Sequence, residues 1–234
     1  MIVVITGAGR RLGHALANHF LDQGHTVVGS YRTHYAEVDQ LRDRGADLAE
    51  VELTDLKAVD EWIQSVVQRY PYLSLLLHNA SAFRPTEDDP LAELVAFQQY
   101  FQVHMQAPFL LNERCLPALR ACPEETANII HITDIFTRRP SPRFRTYCAT
   151  KAGLQNMNHA YARVLAPAVR VNAIEPGPLE FLPEHSEEAR QQVLAETPLQ
   201  RMGGFTPVVQ TVDYILGNPY LTGASIPVDG GRSL

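Results

Sequence analysis

The sequence predicts an α/β fold, a single doubly wound domain with a parallel sheet and helices on both faces. Three observations carry that expectation. Short apolar runs alternate with segments whose apolar residues recur at helical spacing, the pattern of parallel strands joined by right-handed crossovers. The strand runs are continuously apolar rather than alternating, as in strands covered on both faces. The first run closes in a glycine-bearing turn, Thr6-Gly7-Ala8-Gly9, that leads straight into a helix-spaced segment.

Taken in order, Val3-Val4-Ile5 reads as the first strand, and Leu12, Ala15, Leu16, Ala17 and Phe20 mark a helix ended by Gly24. His25 to Ser30 is a second strand, Tyr35 to Arg44 a helix stopped at Gly45, and Leu48 to Leu53 a third, weaker strand. Thr54-Asp55 opens a helix carrying Val59, Trp62, Ile63, Val66 and Val67. Leu73 to Leu77 is a fourth strand, followed by a polar loop, and Leu91 to Leu119 is long and mostly helical. Ile129 to Ile132, Val169 to Ile174 and Ala224 to Val228 complete the strands, with a helix over Arg145 to Leu165. The stretch Glu175 to Gly204 is irregular around a short charged helix at Ser186–Glu196. No repeat or linker divides the chain, so residues 178–204 read as an insertion that closes over substrate in one domain spanning 1–234.

The chain has 234 residues, ample for a buried core, with a formal net charge of −6. That acidic balance argues against a nucleic-acid binder, which needs a basic face to displace phosphate counterions. No run approaches the apolar length of a membrane span, and Ile2 to Thr6 lacks the basic flank of a signal peptide. Cys115, Cys122 and Cys148 form no CxxC pair and are odd in number, which fits a reducing cytoplasm better than a disulfide framework. Arginines are common, yet the only lysines are Lys57 and Lys151.

In an open parallel sheet, ligands sit beyond the carboxyl ends of the strands, where the winding switches direction. The turn TGAGRRLG, Thr6 to Gly13, stands at such a place. Its glycines let backbone approach a pyrophosphate, and the following helix offers unpaired N–H groups. The spacing is one residue longer than the usual dinucleotide fingerprint. After the second strand, Ser30-Tyr31-Arg32-Thr33 carries no carboxylate to bind a ribose hydroxyl, while Arg32 joins Arg10 and Arg11 nearby. Guanidinium forks suit a 2′-phosphate, which points to NADPH rather than NADH. The other reading of Arg32 is a solvated surface arginine.

Tyr147-Cys148-Ala149-Thr150-Lys151 places a phenol and an ammonium four residues apart on one helix face. A phenol with a pKa near 10 is a poor acid–base catalyst at neutral pH. An ammonium about 4 Å away contributes roughly 4 kcal/mol at an effective dielectric of 20, enough to lower it by up to about three units.

The motifs occur in order: the Thr6-Gly7 turn, His78-Asn79-Ala80-Ser81 after the fourth strand, the Tyr147/Lys151 pair, and Glu175-Pro176-Gly177 after the sixth. With the ending Tyr220 to Arg232, this resembles the short-chain dehydrogenase/reductase family over nearly the whole chain. The resemblance implies a Rossmann domain of about seven strands in the order 3-2-1-4-5-6-7. It implies that Tyr147 donates a proton, that Lys151 binds ribose and lowers the tyrosine pKa, and that a nicotinamide supplies hydride. Cofactor contacts are implied at Gly7, Arg10, Arg11, Leu12, Arg32 and Leu53. Further cofactor contacts are implied at Asn79, Ala80, Ser81, Tyr147, Lys151, Pro176 and Gly177. A homotetramer through the long helices is implied as well.

The departures narrow the resemblance. Arg11 replaces the usual loop glycine, Asp134 stands thirteen residues before Tyr147 where a serine is usual, and Asn79-Ala80-Ser81 is followed by Phe83, Pro85 and Thr86. Together these are similar to the pteridine reductases, and among them to the bacterial dihydromonapterin reductases. That implies NADPH-dependent reduction of a 7,8-dihydropterin, with substrate contacts at Arg11, Ser81, Phe83, Asp134 and Tyr147 and catalysis by Asp134, Tyr147 and Lys151. Phe83 can stack on a flat heterocycle, and a carboxyl group suits donor and acceptor nitrogens better than serine does.

Plainer readings stand beside these. The alternative for Phe83 is a loop-anchoring core aromatic, and for Asp134 a cap of the following turn with Thr133 in the serine's place. His104 stands where the family carries an asparagine of the proton relay, as a relay or as a structural histidine. Glu52 replaces an aspartate that usually contacts adenine. His78, His131 and Asp134 lack metal-ligand spacing, so no metal is expected. A generic carbonyl or 3-oxoacyl-thioester reductase, and a non-catalytic NADPH-binding regulator, are the competing functions.

Overall fold

The sheet grows outward from its first strand. β1 (Ile2–Thr6) pairs in parallel with β2 (Thr26–Tyr31) on one side and β4 (Leu75–His78) on the other. β3 (Asp47–Glu50) extends one edge, and β5 (Ala127–Ile132), β6 (Val169–Pro176) and β7 (Ser225–Val228) extend the other, giving the order 3-2-1-4-5-6-7. The computed structural model describes residues 1–183 and 185–234; Glu184, within the expected insertion, lies outside the described residues.

Helices cover both faces, because the central strands are buried on both. α3 (Leu56–Arg69), α5 (Ala107–Arg120) and α6 (Arg145–Leu165) bury Trp62, Ile63, Leu111 and Leu165 against one face. α1 (Arg11–Asp22), α2 (Ala36–Asp43) and α8 (Thr206–Gly217) bury Leu16, Phe20, Val38 and Val212 against the other. Local chemistry sets the helix starts. Asp55 accepts the Lys57 and Ala58 N–H groups at 3.0 and 3.1 Å to cap α3, and Asp89 with Pro90 opens α4 (Pro90–Phe101). Ser186 caps α7 (Glu187–Ala195), the expected short charged helix.

Two elements differ from the sequence reading. α8 was not expected as a helix, although Pro207 sits in its first turn and Val208, Val212 and Ile215 recur at helical spacing. It follows an irregular stretch that hides its start. The long segment over 91–119 is helical but divided: a π-turn at Gln102–Gln106 separates α4 from α5. The wider turn faces His104 inward, where it is buried.

The topological switch lies between β1 and β4, whose last residues Thr6 and His78 are directly paired. The loops beyond them press together. A Cβ at Gly7, which has φ of +70°, would lie 2.9 Å from the Ala80 Cα, and one at Gly13 would fall on the Gly7 carbonyl oxygen. Glycine is therefore required at both positions, and the helix start lies bare beside the cleft.

Candidate active site

α6 begins at Arg145, so Tyr147 and Lys151 stand in its first turns on the face turned to the sheet, both buried. Tyr100 and Ala96 of α4 pack against Tyr147. The Tyr147 hydroxyl donates to Asp134 Oδ2 at 2.7 Å. Asp134 also caps a short 3₁₀ turn, Ile135–Thr137, with Oδ1 accepting the Phe136 N–H at 2.8 Å. Capping and contact with the tyrosine are thus one geometry, not alternatives. Thr133 is not in the serine's place, since its hydroxyl donates to the Ile174 carbonyl at 3.1 Å and is buried.

The electrostatics correct one expectation. Lys151 was expected to lower the tyrosine, yet Tyr147 lies well above the usual phenol range, pushed up by burial and then by the Asp134 carboxylate. The lysine Nζ is 5.9 Å from the phenol ring centroid and donates to the Ile132 carbonyl at 2.9 Å. At that separation desolvation of the phenolate and the nearer carboxylate prevail. Burial also lowers Lys151 to about 8, with Asp134 opposing. Asp134 itself is raised, chiefly by burial, against the Phe136 amide, the Tyr147 hydroxyl and Lys151.

The loops after β1, β4 and β6 meet around this core. The Asn79 side chain does not face the cleft, because its amide donates to the Thr6 and Gly7 carbonyls at 3.1 and 3.0 Å. The Asn79 and Ala80 N–H groups both reach Thr6 Oγ1, at 3.1 and 3.2 Å. Pro176 pairs with Val228, and the Gly177 N–H donates to the Val228 carbonyl at 3.0 Å. Leu12 and Leu53 are buried beside the loops. Glu52 accepts the Thr54 N–H at 3.0 Å within its own turn.

The arginines divide by partner. Arg10 lies over the Tyr35 ring, 5.2 Å from its centroid, and donates to the Tyr35 hydroxyl at 2.9 Å. Arg11 takes φ of +52°, a conformation that favours glycine, and its Nε meets Glu180 of the insertion at 3.2 Å. Arg32, at the end of β2, is exposed and has no side-chain partner among the described residues.

Phe83 is not a core anchor, being 51% exposed. Its ring lies 4.4 Å from Phe144 and edge-on to Tyr147 at 4.8 Å between centroids. Phe144 escaped the sequence reading, although its place three residues before Tyr147 was a signal. His104 is buried in a network, with Nδ1 2.8 Å from Thr150 Oγ1 and Nε2 3.0 Å from Ser81 Oγ. Glu175 was read only as part of a motif. It is fully buried and holds Arg138 at 2.5 Å and Gln155 at 2.8 Å, while the Thr137 hydroxyl donates to it at 3.3 Å, anchoring the turn that carries Asp134. His78 and His131 stack at 4.9 Å, bonded to Asn112 and Asn158 respectively.

A glycine turn at the switch point beside a buried tyrosine, lysine and carboxyl group defines the class of nucleotide-dependent oxidoreductases. A family model described as enoyl-(acyl carrier protein) reductase matches residues 7–233, and the chain belongs to the short-chain dehydrogenase/reductase family. It is 39% identical to dihydromonapterin reductase of Escherichia coli (strain K12) over 233 residues, 99% of this chain and 96% of that protein. The crystal structure of FolM alternative dihydrofolate reductase 1 from Brucella canis, complexed with NADP, matches with a TM-score of 0.87 at 27% identity, over 99% of this chain and 93% of that one. A short-chain dehydrogenase/reductase from Serratia marcescens, at 23% identity and a TM-score of 0.87, shares the fold over 100% of this chain and 98% of its own.

The lysine carries a consequence for stability. Its folded pKa of about 8 lies below the ordinary 10.5, so between those values the unfolded chain holds a proton that the folded chain does not. This group's contribution to stability is present above pH 10.5 and is lost as pH falls through about 8. Lys151→Met is expected to be inactive yet more stable than the parent near neutral pH, by about 2 kcal/mol after the orphaned Ile132 carbonyl is allowed for. Urea titrations across pH check this, with the difference closing towards pH 10.5. A variant less stable at neutral pH contradicts it.

Proposed function

We propose that this protein reduces 7,8-dihydropterins to tetrahydropterins with NADPH, dihydromonapterin being the leading substrate and dihydrobiopterin and dihydrofolate further ones. The observation that carries the reading is the buried Tyr147–Asp134 hydrogen bond beside the exposed Phe83 ring. Full-length similarity to dihydromonapterin reductase supports it.

The residues present fit the cofactor. Glycines whose Cβ positions are already filled by neighbouring backbone leave a helix start open to phosphate. Arg32 at the end of β2 is exposed and suits a 2′-phosphate, and Arg10, held over Tyr35, is a second guanidinium from the phosphate turn. The Lys151 ammonium and the Tyr147 hydroxyl suit the ribose. When bound, NADPH supplies the hydride.

The chain's own part is positioning and the proton. Reduction adds hydride at C6 of the dihydropterin and a proton at N5. Because the Tyr147 phenol is raised, it keeps its proton at neutral pH and yields it only to a strongly basic nitrogen, as N5 becomes once hydride has reached C6. Asp134, also raised, lies in hydrogen-bond contact and returns a proton to the tyrosine after taking one up from solvent. General acid assistance of this kind is worth about 10²–10⁴ in rate. Phe83 offers one face for stacking, while Arg11 and Ser81 border the same cleft. The ion pair of Arg11 with Glu180 ties the start of the insertion to the phosphate turn, which supports its closing over substrate.

The exposed Leu94, Val95, Phe101 and Phe109 on α4 and α5 support a homotetramer through these helices. No helix among the described residues is long and apolar enough to cross a membrane. The three free cysteines suit a cytoplasmic place, which cell fractionation checks.

Asp134→Ser is expected to lower kcat for dihydropterin roughly 100-fold or more while NADPH still binds; undiminished turnover rejects the role of Asp134. Arg32→Asp should raise the KM for NADPH roughly tenfold or more and leave NADH little changed, as lost charge-assisted bonds require. Equal effects on the two cofactors reject that assignment. Light scattering should give about four times the 26.1 kDa chain mass; a monomer mass removes the tetramer.

A further inference from the structure

A hydrogen-bond chain of fixed polarity runs from a backbone carbonyl to Ser81. The Thr150 hydroxyl lies 2.9 Å from the Tyr147 carbonyl oxygen, which can only accept, so the one Thr150 proton points there. Thr150 Oγ1 must then accept from His104 Nδ1, 2.8 Å away. The ring proton therefore sits on Nδ1. Burial and the Lys151 charge hold His104 well below the usual imidazole pKa, so the ring is neutral and Nε2 is bare.

The other end of the chain agrees independently. The Ala82 backbone N–H, which can only donate, lies 3.3 Å from Nε2. Ser81 Oγ lies 3.0 Å from the same nitrogen, so its hydroxyl donates there as well. Two other acceptors compete for that proton. The Ala82 carbonyl is farther away, at 3.5 Å. The other is the Tyr147 hydroxyl oxygen, whose own proton goes to Asp134 and toward which Ser81 also leans, while the contact to Nε2 is the short one. With its proton engaged, Ser81 presents only lone pairs to the cleft. The cleft is the one that holds Tyr147, since the His104 ring packs edge-on against the tyrosine ring at 5.5 Å.

We propose that His104 is a positioning residue that fixes Ser81 as a hydrogen-bond acceptor, so that the site selects substrates presenting an N–H donor over substrates presenting a carbonyl oxygen. The amidine-like edge of a dihydropterin carries such donors. A carbonyl oxygen brought to the same place meets an acceptor and is left unpaired, which disfavours it roughly tenfold to hundredfold. The substrate half of this inference rests on the dihydropterin reading; the polarity of Ser81 does not.

The test has two arms. Long-range ¹⁵N–¹H spectra of the labelled protein, with the His104 signals assigned by their loss in His104→Gln, should show the Nδ1–H tautomer unchanged between pH 6 and 8. An Nε2–H tautomer, or a ring that titrates in that interval, overturns the proposal. In the second arm, kcat/KM is measured with 7,8-dihydromonapterin and an acetoacetyl thioester. His104→Gln, whose side-chain carbonyl can take the Ser81 proton, should keep the preference for dihydropterin. His104→Leu should reduce that preference roughly tenfold or more, mainly through the dihydropterin KM. Losses in equal proportion on both substrates, or equal behaviour of the Gln and Leu variants, overturn the selecting role. Should His104→Leu not fold, Ser81→Ala serves instead, and a dihydropterin KM unchanged in it overturns the proposal. A parent enzyme inactive on dihydropterin fails the function reading, while the tautomer still decides the polarity of Ser81.

Discussion

The 2.7 Å hydrogen bond from the Tyr147 hydroxyl to Asp134 sets the requirements that the rest of the site meets. It places a phenol and a carboxyl group together in surroundings that disfavour the charge of either, and both are displaced upward as a result. Such a pair persists only where each remaining polar atom has a partner. The Phe136 amide takes the second Asp134 oxygen, and Lys151 is tied to the end of β5 through the Ile132 carbonyl. Lys151 is likewise displaced, downward, by its own burial. The three groups are held there at some expense in stability, as is usual for groups placed for proton transfer.

Geometry at the sheet's carboxyl edge keeps this cluster in place. Thr6 and Asn79 bind the loops after β1 and β4 to each other, and the buried Glu175 clamps the turn after β5 through Thr137 and Arg138. Each is a polar group engaged by neighbouring loops rather than offered to a ligand. Side chains left exposed near these loops include Arg11, Arg32, Ser81 and Phe83. That division separates the scaffold of the site from its contact surface. Asn79 shows why the two are easily confused, since it sits in a cofactor-contact motif yet its side chain binds the chain itself.

Much of this was legible in the residues. Strand runs such as Val3-Val4-Ile5 are apolar on both faces and have one reading, and the Tyr147/Lys151 spacing places both groups on one helix face whatever surrounds it. Asp134 could be found because it stands a fixed distance from Tyr147. What was not legible depended on contacts distant in sequence. The direction of the Tyr147 shift needed its burial and the placement of Lys151 against Ile132, neither of which spacing contains. Glu175 and Phe144 gain meaning only from Arg138 and Phe83 across the fold. The π-turn around His104 leaves the apolar period of 91–119 nearly unaltered, so the sequence reads as one helix. α8 was legible in Pro207, Val208, Val212 and Ile215 and was obscured by the irregular stretch before it.

The central claim is that a carboxyl-assisted phenol, flanked by an exposed aromatic ring, serves a nitrogen heterocycle rather than a ketone. The most direct measurement follows NADPH oxidation by the unaltered protein with 7,8-dihydromonapterin, 7,8-dihydrobiopterin, dihydrofolate and an acetoacetyl thioester side by side. A clear preference in kcat/KM for the dihydropterins is the predicted result. Preference for the thioester contradicts the claim, and would leave the family and fold standing without the substrate.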